Sequence, residues 1–174
     1  MRKPICHVVG AGDFGLSSLD VQGGDLVIAA DGGYNHLAGI GVTPDLVIGD
    51  FDSARDVPSS VQNIRLSPEK DITDMMAALT AGLDRGYHRF MVYGGTGGRL
   101  DHTLANVQAL KHLALHGAQG YLIGDDDVMT CITDGAIEFH AGLTGYLSVF
   151  CQGDRAEGVT ETGLKYLLCD AMLT

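Results

Sequence analysis

Three times in the first fifty residues a short apolar run stops abruptly: 5–9 at Gly10, 26–30 at Asp31, and 46–48 at Gly49-Asp50. Runs this short and this continuously apolar suit strands buried on both faces, and the residues that end them suit turns. Between the second and third runs, residues 34–40 predict a short helix. From Asp71 the period becomes helical, with Met75, Ala78, Leu79, Gly82 and Leu83 on one face. Residues 90–93 predict another strand, followed by the loop Gly94-Gly95-Thr96-Gly97-Gly98 and a second helix with Leu104, Val107, Leu110 and Ala114 inward. Strands alternating with helices imply an α/β fold, a parallel layered sheet of Rossmann-like type, over residues 1–118.

Beyond Gly117 the pattern changes. Residues 121–123, 128–132, 136–139 and 146–150 predict short strands separated by Gly/Asp turns such as Asp134-Gly135. That grammar is antiparallel, and it predicts an incomplete β-sandwich domain over residues 119–174.

The charge balance limits the partners. The formal net charge is −11, and the acid is 18 aspartates against 4 glutamates. Aspartate favours turns, caps and metal sites over helix faces. No basic tract is present, which argues against nucleic acid. The four cysteines (Cys6, Cys131, Cys151, Cys169) show no C-x-x-C spacing, and three sit in apolar runs as small core residues. Met1-Arg2-Lys3-Pro4 leads into too few apolar positions for a signal peptide, and nothing approaches a membrane span of about 18 residues. The expected compartment is the cytoplasm.

The densest chemistry lies in Gly49-Asp50-Phe51-Asp52-Ser53, directly behind a buried strand. Two carboxylates one residue apart on a Gly-initiated loop are suited to holding Mg²⁺. Ala30-Asp31-Gly32-Gly33 and Lys70-Asp71-Ile72-Thr73-Asp74 lie where an α/β sheet brings loops to the same edge, so a metal–phosphate site is expected there. Two carboxylates about 4 Å apart repel by roughly 4 kcal/mol at an effective dielectric of 20. With only Lys70 and Arg99 as evident local cations, such a cluster calls for a divalent ion.

Asp71 also reads as a helix N-cap with Asp74 three residues on, both favoured by the helix dipole. Lys70 reads either as a solvated charge or as a phosphate contact. In Thr96-Gly97-Gly98-Arg99-Leu100-Asp101-His102, glycines and a guanidinium enter a helix N-terminus, an arrangement that binds phosphate; the alternative is a plain Arg99–Asp101 contact. His102 is either a ligand or a polar helix-start residue. Gly10-Ala11-Gly12-Asp13-Phe14-Gly15 fits a dinucleotide fingerprint, but the chain turns to β before a second mononucleotide half is complete. A Gly-rich turn is the preferred reading, and Asp125-Asp126-Asp127 reads as a solvated turn.

Taken in order, Ala30–Asn35, Pro44–Ser53, Lys70–Asp74 and Gly94–His102, together with Gly158-Val159-Thr160 and Gly163-Leu164-Lys165-Tyr166, resemble thiamine pyrophosphokinase. The resemblance implies an α/β catalytic domain joined to a β-sandwich, a homodimer, and transfer of pyrophosphate from ATP to the thiamine hydroxyl with Mg²⁺. It implies Mg²⁺ held by Asp31, Asp50, Asp52 and Asp74, and catalytic roles for Asp50, Asp52, Asp71 and Asp74. ATP contacts fall to Lys70, Gly94, Gly95, Thr96, Gly97, Gly98, Arg99, Asp101 and His102. In that family further strands carry part of the thiamine pocket, so the expectation is an intact nucleotide half and an incomplete acceptor half before Thr174. Tyr146, Leu147 and Val149 are expected near the β-domain core or dimer interface. A pyrophosphokinase for another alcohol, such as a hydroxymethylpterin, would keep every nucleotide motif. A non-catalytic dinucleotide-binding module would need Gly10, Gly12 and Gly15 but not Asp50 or Asp52.

Overall fold

The structure is a computed structural model that describes residues 2–15, 19–52, 57–67, 69 and 71–174. Its compact units divide after Gly135. In the first, seven strands form one sheet: β1 (Cys6–Val9), β2 (Leu26–Ala30), β3 (Leu46–Gly49), β4 (Gln62–Arg65), β5 (Arg89–Tyr93), β6 (Gln119–Ile123) and β7 (Val128–Thr130). Their spatial order is β4-β3-β2-β1-β5-β6-β7, parallel from β4 to β6, with β7 antiparallel on β6.

Alternation of side chains along each strand sorts the apolar residues onto two faces. Cys6, Val8, Ile28, Ile48, Phe90 and Val92 pack with α2 (Asp74–Asp84) and α3 (Leu100–Leu115). Val9, Val27, Ala29, Val47 and Tyr93 pack with Tyr34 and Leu37 of α1 (Gly33–Gly39). Leu79, Leu110 and Leu113 are fully buried, each contributing about 1.5–3 kcal/mol by leaving water. Cys6 is the one fully buried cysteine, its thiol pushed up to about 12 mainly by burial; Cys131 and Cys151 are half-buried and Cys169 is exposed.

The expected inner face of α2 is found: Met75, Ala78, Leu79 and Gly82 are buried, and Leu83 packs partly against them. Its cap is Thr73, not Asp71, with Thr73 Oγ1 accepting from the Met76 amide at 3.1 Å. On α3 the inner stripe is Ala109, Leu110 and Leu113, whereas Leu104 is 56% exposed. Leu100, Asp101, His102 and Leu104 are exposed at the start of α3 while Val107 packs partly on the core, so the periodicity placed Leu104 on a face that the described residues leave open. Strand β4 was not expected: Gln-Asn-Ile-Arg is exposed at all four positions, as an edge strand allows.

Strands β6 and β7 were expected to open the second domain, but they extend the first sheet. The α3 crossover returns the chain parallel to β5, and a short turn folds β7 back on β6. The α/β unit therefore runs to Gly135, past the expected boundary at residue 118. In the second unit, β8 (Ala156–Glu161) and β9 (Leu168–Leu173) form an antiparallel ladder with two register shifts. The strands expected at 136–139 and 146–150 are absent from these described residues, where apolar runs without a pairing edge stay irregular. No helix among the described residues is long and apolar enough to cross a membrane.

Candidate metal and phosphate site

Strands β1, β2, β3 and β5 are parallel neighbours, so their carboxyl ends share one edge of the sheet. That edge is where α/β sheets bind ligands. Asp31 follows β2 and Asp50 follows β3, and one carboxylate oxygen from each of Asp31, Asp50 and Asp52 lies within 4.8 Å of the other two. The backbone is shaped to bring them together. The Asp31 amide donates to Ile48 O at 2.7 Å, and the Asp52 amide donates to Asp50 Oδ1 at 3.1 Å. A side chain on Gly49 would put its Cβ 2.8 Å from Asp31 Cβ, so only glycine admits this approach. Asp31 (φ 44°) and Phe51 (φ 66°) both adopt the left-handed region, a cost of about 1–3 kcal/mol each for non-glycine residues. Strain of this kind flanking a carboxylate cluster is typical of functional sites.

Three carboxylates are hard oxygen donors, the set that suits Mg²⁺, and the glycine cradle at position 49 leaves room for their convergence. Asp74, the first residue of α2, lies outside this group of three, as does the exposed Asp71. Lys70 and Ser53 fall outside the described residues.

A cation that the sequence did not single out is present instead. Arg65, at the end of β4 and paired in register with Gly49, sends Nε and Nη2 to Asp50 O at 3.4 and 3.3 Å. Its guanidinium also lies 5.7 Å from the Phe51 ring centroid. The signal for Arg65 was its strand register, which could not be read without recognising β4.

The glycine loop after β5 is fastened from two sides. Gly10 N donates to Tyr93 O, Gly12 N to Gly94 O and Asp13 N to Thr96 O, each at 2.8 Å. Cβ atoms at Gly12 and Gly94 would meet the opposing carbonyls at 2.2 and 2.3 Å. Gly10 and Gly12 are thus accounted for by backbone contact with the second loop, which explains the fingerprint-like pattern. From α3, Asn106 Nδ2 donates to Gly95 O at 2.8 Å; from α1, His36 Nε2 donates to Gly12 O at 2.9 Å. Both were missed because neither belongs to a recognisable motif. At the start of α3, Arg99 Nε and Nη2 donate to Asp101 at 3.1 and 2.5 Å, both side chains exposed. Their hydrogen bond raises the Arg99 guanidinium and lowers the Asp101 carboxyl. His102 is exposed, and its amide donates to Asp101 Oδ1 at 3.0 Å.

Against known proteins, residues 21–122 match the model of "Thiamin pyrophosphokinase, catalytic domain". The chain is 28% identical over 156 residues to the thiamine pyrophosphokinase of Bacillus subtilis (strain 168), covering 86% of this chain and 73% of that protein. It is similar to the crystal structure of thiamine pyrophosphokinase from Bacillus subtilis, with TM-score 0.87 and 26% identity over 99% of this chain and 85% of that one. The corresponding structure from Geobacillus thermodenitrificans gives TM-score 0.75 at 25% identity, covering 98% and 83%. Because the matched segment takes up more than half of its length, the chain belongs to the thiamin pyrophosphokinase family, a family of ATP-dependent pyrophosphotransferases.

Proposed function

We propose that this protein transfers the pyrophosphoryl group of ATP to the hydroxyl of thiamine, giving thiamine diphosphate and AMP. The observation that carries this reading is the convergence of Asp31, Asp50 and Asp52 beside a glycine loop at the carboxyl edge of the sheet. Mg²⁺, bound by these three carboxylates, would neutralise phosphate charge and align the polyphosphate. Arg65 is held on the Asp50 carbonyl oxygen of the same loop, and Arg99 and the Gly94–Gly98 amides offer donors to the nucleotide's oxygens. In the reaction the thiamine oxygen bonds to the β-phosphorus, and the bond from that phosphorus to the α,β-bridging oxygen breaks. AMP leaves with the bridging oxygen. Asp71 or Asp74, beside the start of α2, takes the hydroxyl proton. Positioning and charge stabilisation supply most of the rate in such transfers.

The direct test is AMP release. It is expected to require both thiamine and Mg²⁺, and to stop with chelator. AMP release that persists without thiamine, or a preference for a pterin alcohol, would overturn the acceptor assignment.

The second unit is read as the thiamine-binding part and as the seat of a homodimer. Tyr146, Phe150, Leu143, Tyr166 and Leu167 are all more than 60% exposed there, large apolar side chains of the kind a partner surface covers. Leu147 and Val149 join them at 46% and 43%. Light scattering at micromolar concentration should give twice the 18.3 kDa chain mass; a monomeric mass would refute the dimer. The free thiols fit a reducing, cytoplasmic setting.

A further inference from the structure

The carboxyl end of α3 carries a feature that the pyrophosphoryl-transfer chemistry does not use. His112 lies in the last turn of the helix, and His116 is its C-cap, one turn further on. Residues four apart share a helix face. Here the two imidazole rings lie with centroids 4.2 Å apart and planes tilted by 37°. Leu113, between them in sequence, is fully buried and anchors this turn to the sheet, while His112 is half-buried and His116 exposed.

One hydrogen bond decides the chemistry. His116 Nδ1 lies 2.8 Å from the His112 carbonyl oxygen. A carbonyl only accepts, so Nδ1 carries the proton and Nε2 of the neutral ring keeps its lone pair. Metal-ligating histidines use this arrangement, in which a backbone oxygen fixes the tautomer and aims the other nitrogen. Burial, and after it the neighbouring His116, holds His112 below the ordinary histidine value.

We propose that His112 and His116 form a two-imidazole site for a borderline divalent transition ion such as Zn²⁺ or Ni²⁺. Water completes the coordination, because no third His, Cys, Asp or Glu among the described residues groups with the pair. The site differs from the carboxylate cluster in place and in preference. The carboxylates follow β2 and β3 at the carboxyl edge of the sheet, whereas the carboxyl end of α3 leads into the start of β6, parallel to β5, and so lies toward the amino edge. Imidazole nitrogens suit Zn²⁺ and Ni²⁺, whereas three carboxylates suit Mg²⁺. The proposal is independent of the assigned reaction.

The test is calorimetric titration of the full chain with Zn²⁺ alone, in excess Mg²⁺ to fill the carboxylates. One Zn²⁺ equivalent is expected. His112→Ala and His116→Ala should each weaken that equivalent by on the order of 10- to 100-fold, because the second ligand acts intramolecularly. Asp50→Asn should leave it unchanged, and circular dichroism should show all variants folded. No Zn²⁺ equivalent in wild type, or His112→Ala binding as tightly as wild type, would overturn the site. Loss of the equivalent in Asp50→Asn would place Zn²⁺ in the carboxylate cluster and overturn it equally.

Discussion

Asp50→Asn should release AMP from MgATP and thiamine at least 100- to 1,000-fold more slowly than wild type, the range for removing one preorganised charge-stabilising group. The substitution keeps the shape and the oxygen that accepts the Asp52 amide, so the loop has no reason to refold. What it removes is one of three negative charges within 4.8 Å. In the absence of metal that removal relieves two pairwise repulsions, with Asp31 and with Asp52, each roughly 3 kcal/mol at an effective dielectric of 20 and less where solvent screens Asp52. The variant should therefore melt at or above the wild-type temperature in chelator, and lack the stabilisation by Mg²⁺ expected of the wild type. Wild-type turnover in Asp50→Asn would remove the carboxylate cluster from the reaction. Lost activity accompanied by a lower metal-free melting temperature would show a structural role instead.

Asp25→Ala should be the most damaging substitution far from the site. The Asp25 side chain is 1% exposed and lies at the amino end of the sheet, just before β2. It accepts from the Ile5 amide at 2.8 Å and the Gln22 amide at 3.0 Å, contacts His7 Nε2 at 3.3 Å, and pairs with the Arg2 guanidinium. Alanine would strand these donors, and breaking a buried pair costs about 3–5 kcal/mol. In a chain of this size that corresponds to a melting temperature lower by roughly 10 °C.

The same cluster sets the acid limit. Burial acts to raise the Asp25 carboxyl, but the Ile5 and Gln22 amides, His7 and Arg2 outweigh it, and the net shift is downward. Its contribution is thus complete above the ordinary aspartate value of 3.8 and is lost as pH falls through the lower native value. His7 is lowered first by burial, with the Asp25 contact opposing, so below its ordinary 6.5 the unfolded chain takes up the proton first. Both groups make wild type lose stability as pH falls. Asp25→Asn should flatten the part of that dependence below pH 4, measured by chemical denaturation; an unchanged slope would refute the assignment.

Most of the sheet was legible because β1, β2 and β3 are apolar enough to be buried on both faces, and each ends in residues that only a turn or a ligand site favours. The legible part of the site had the same origin: Asp31 and Asp50 follow those strands directly. Edges were not legible. β4 carries no hydrophobic alternation, so Arg65 was invisible as a neighbour of Asp50. Residues 119–130 read as antiparallel from their turns, yet β6 pairs parallel because a helix, and not a hairpin, precedes it. Residues 146–150 have the composition of a strand but pair with no other segment among the described residues, and composition does not report partners.

The seam between Gly10–Asp13 and Gly94–Thr96 makes two segments, more than eighty residues apart in sequence, into one mechanical piece. Lids open because they are tied to the body at their ends alone. The two loops are bonded to each other at Gly94 and Thr96 and are held from opposite sides of the sheet, His36 on Gly12 and Asn106 on Gly95. Together they are a floor, not a flap: under the proposed function, closure over the nucleotide would come down from other segments onto this doubly held surface.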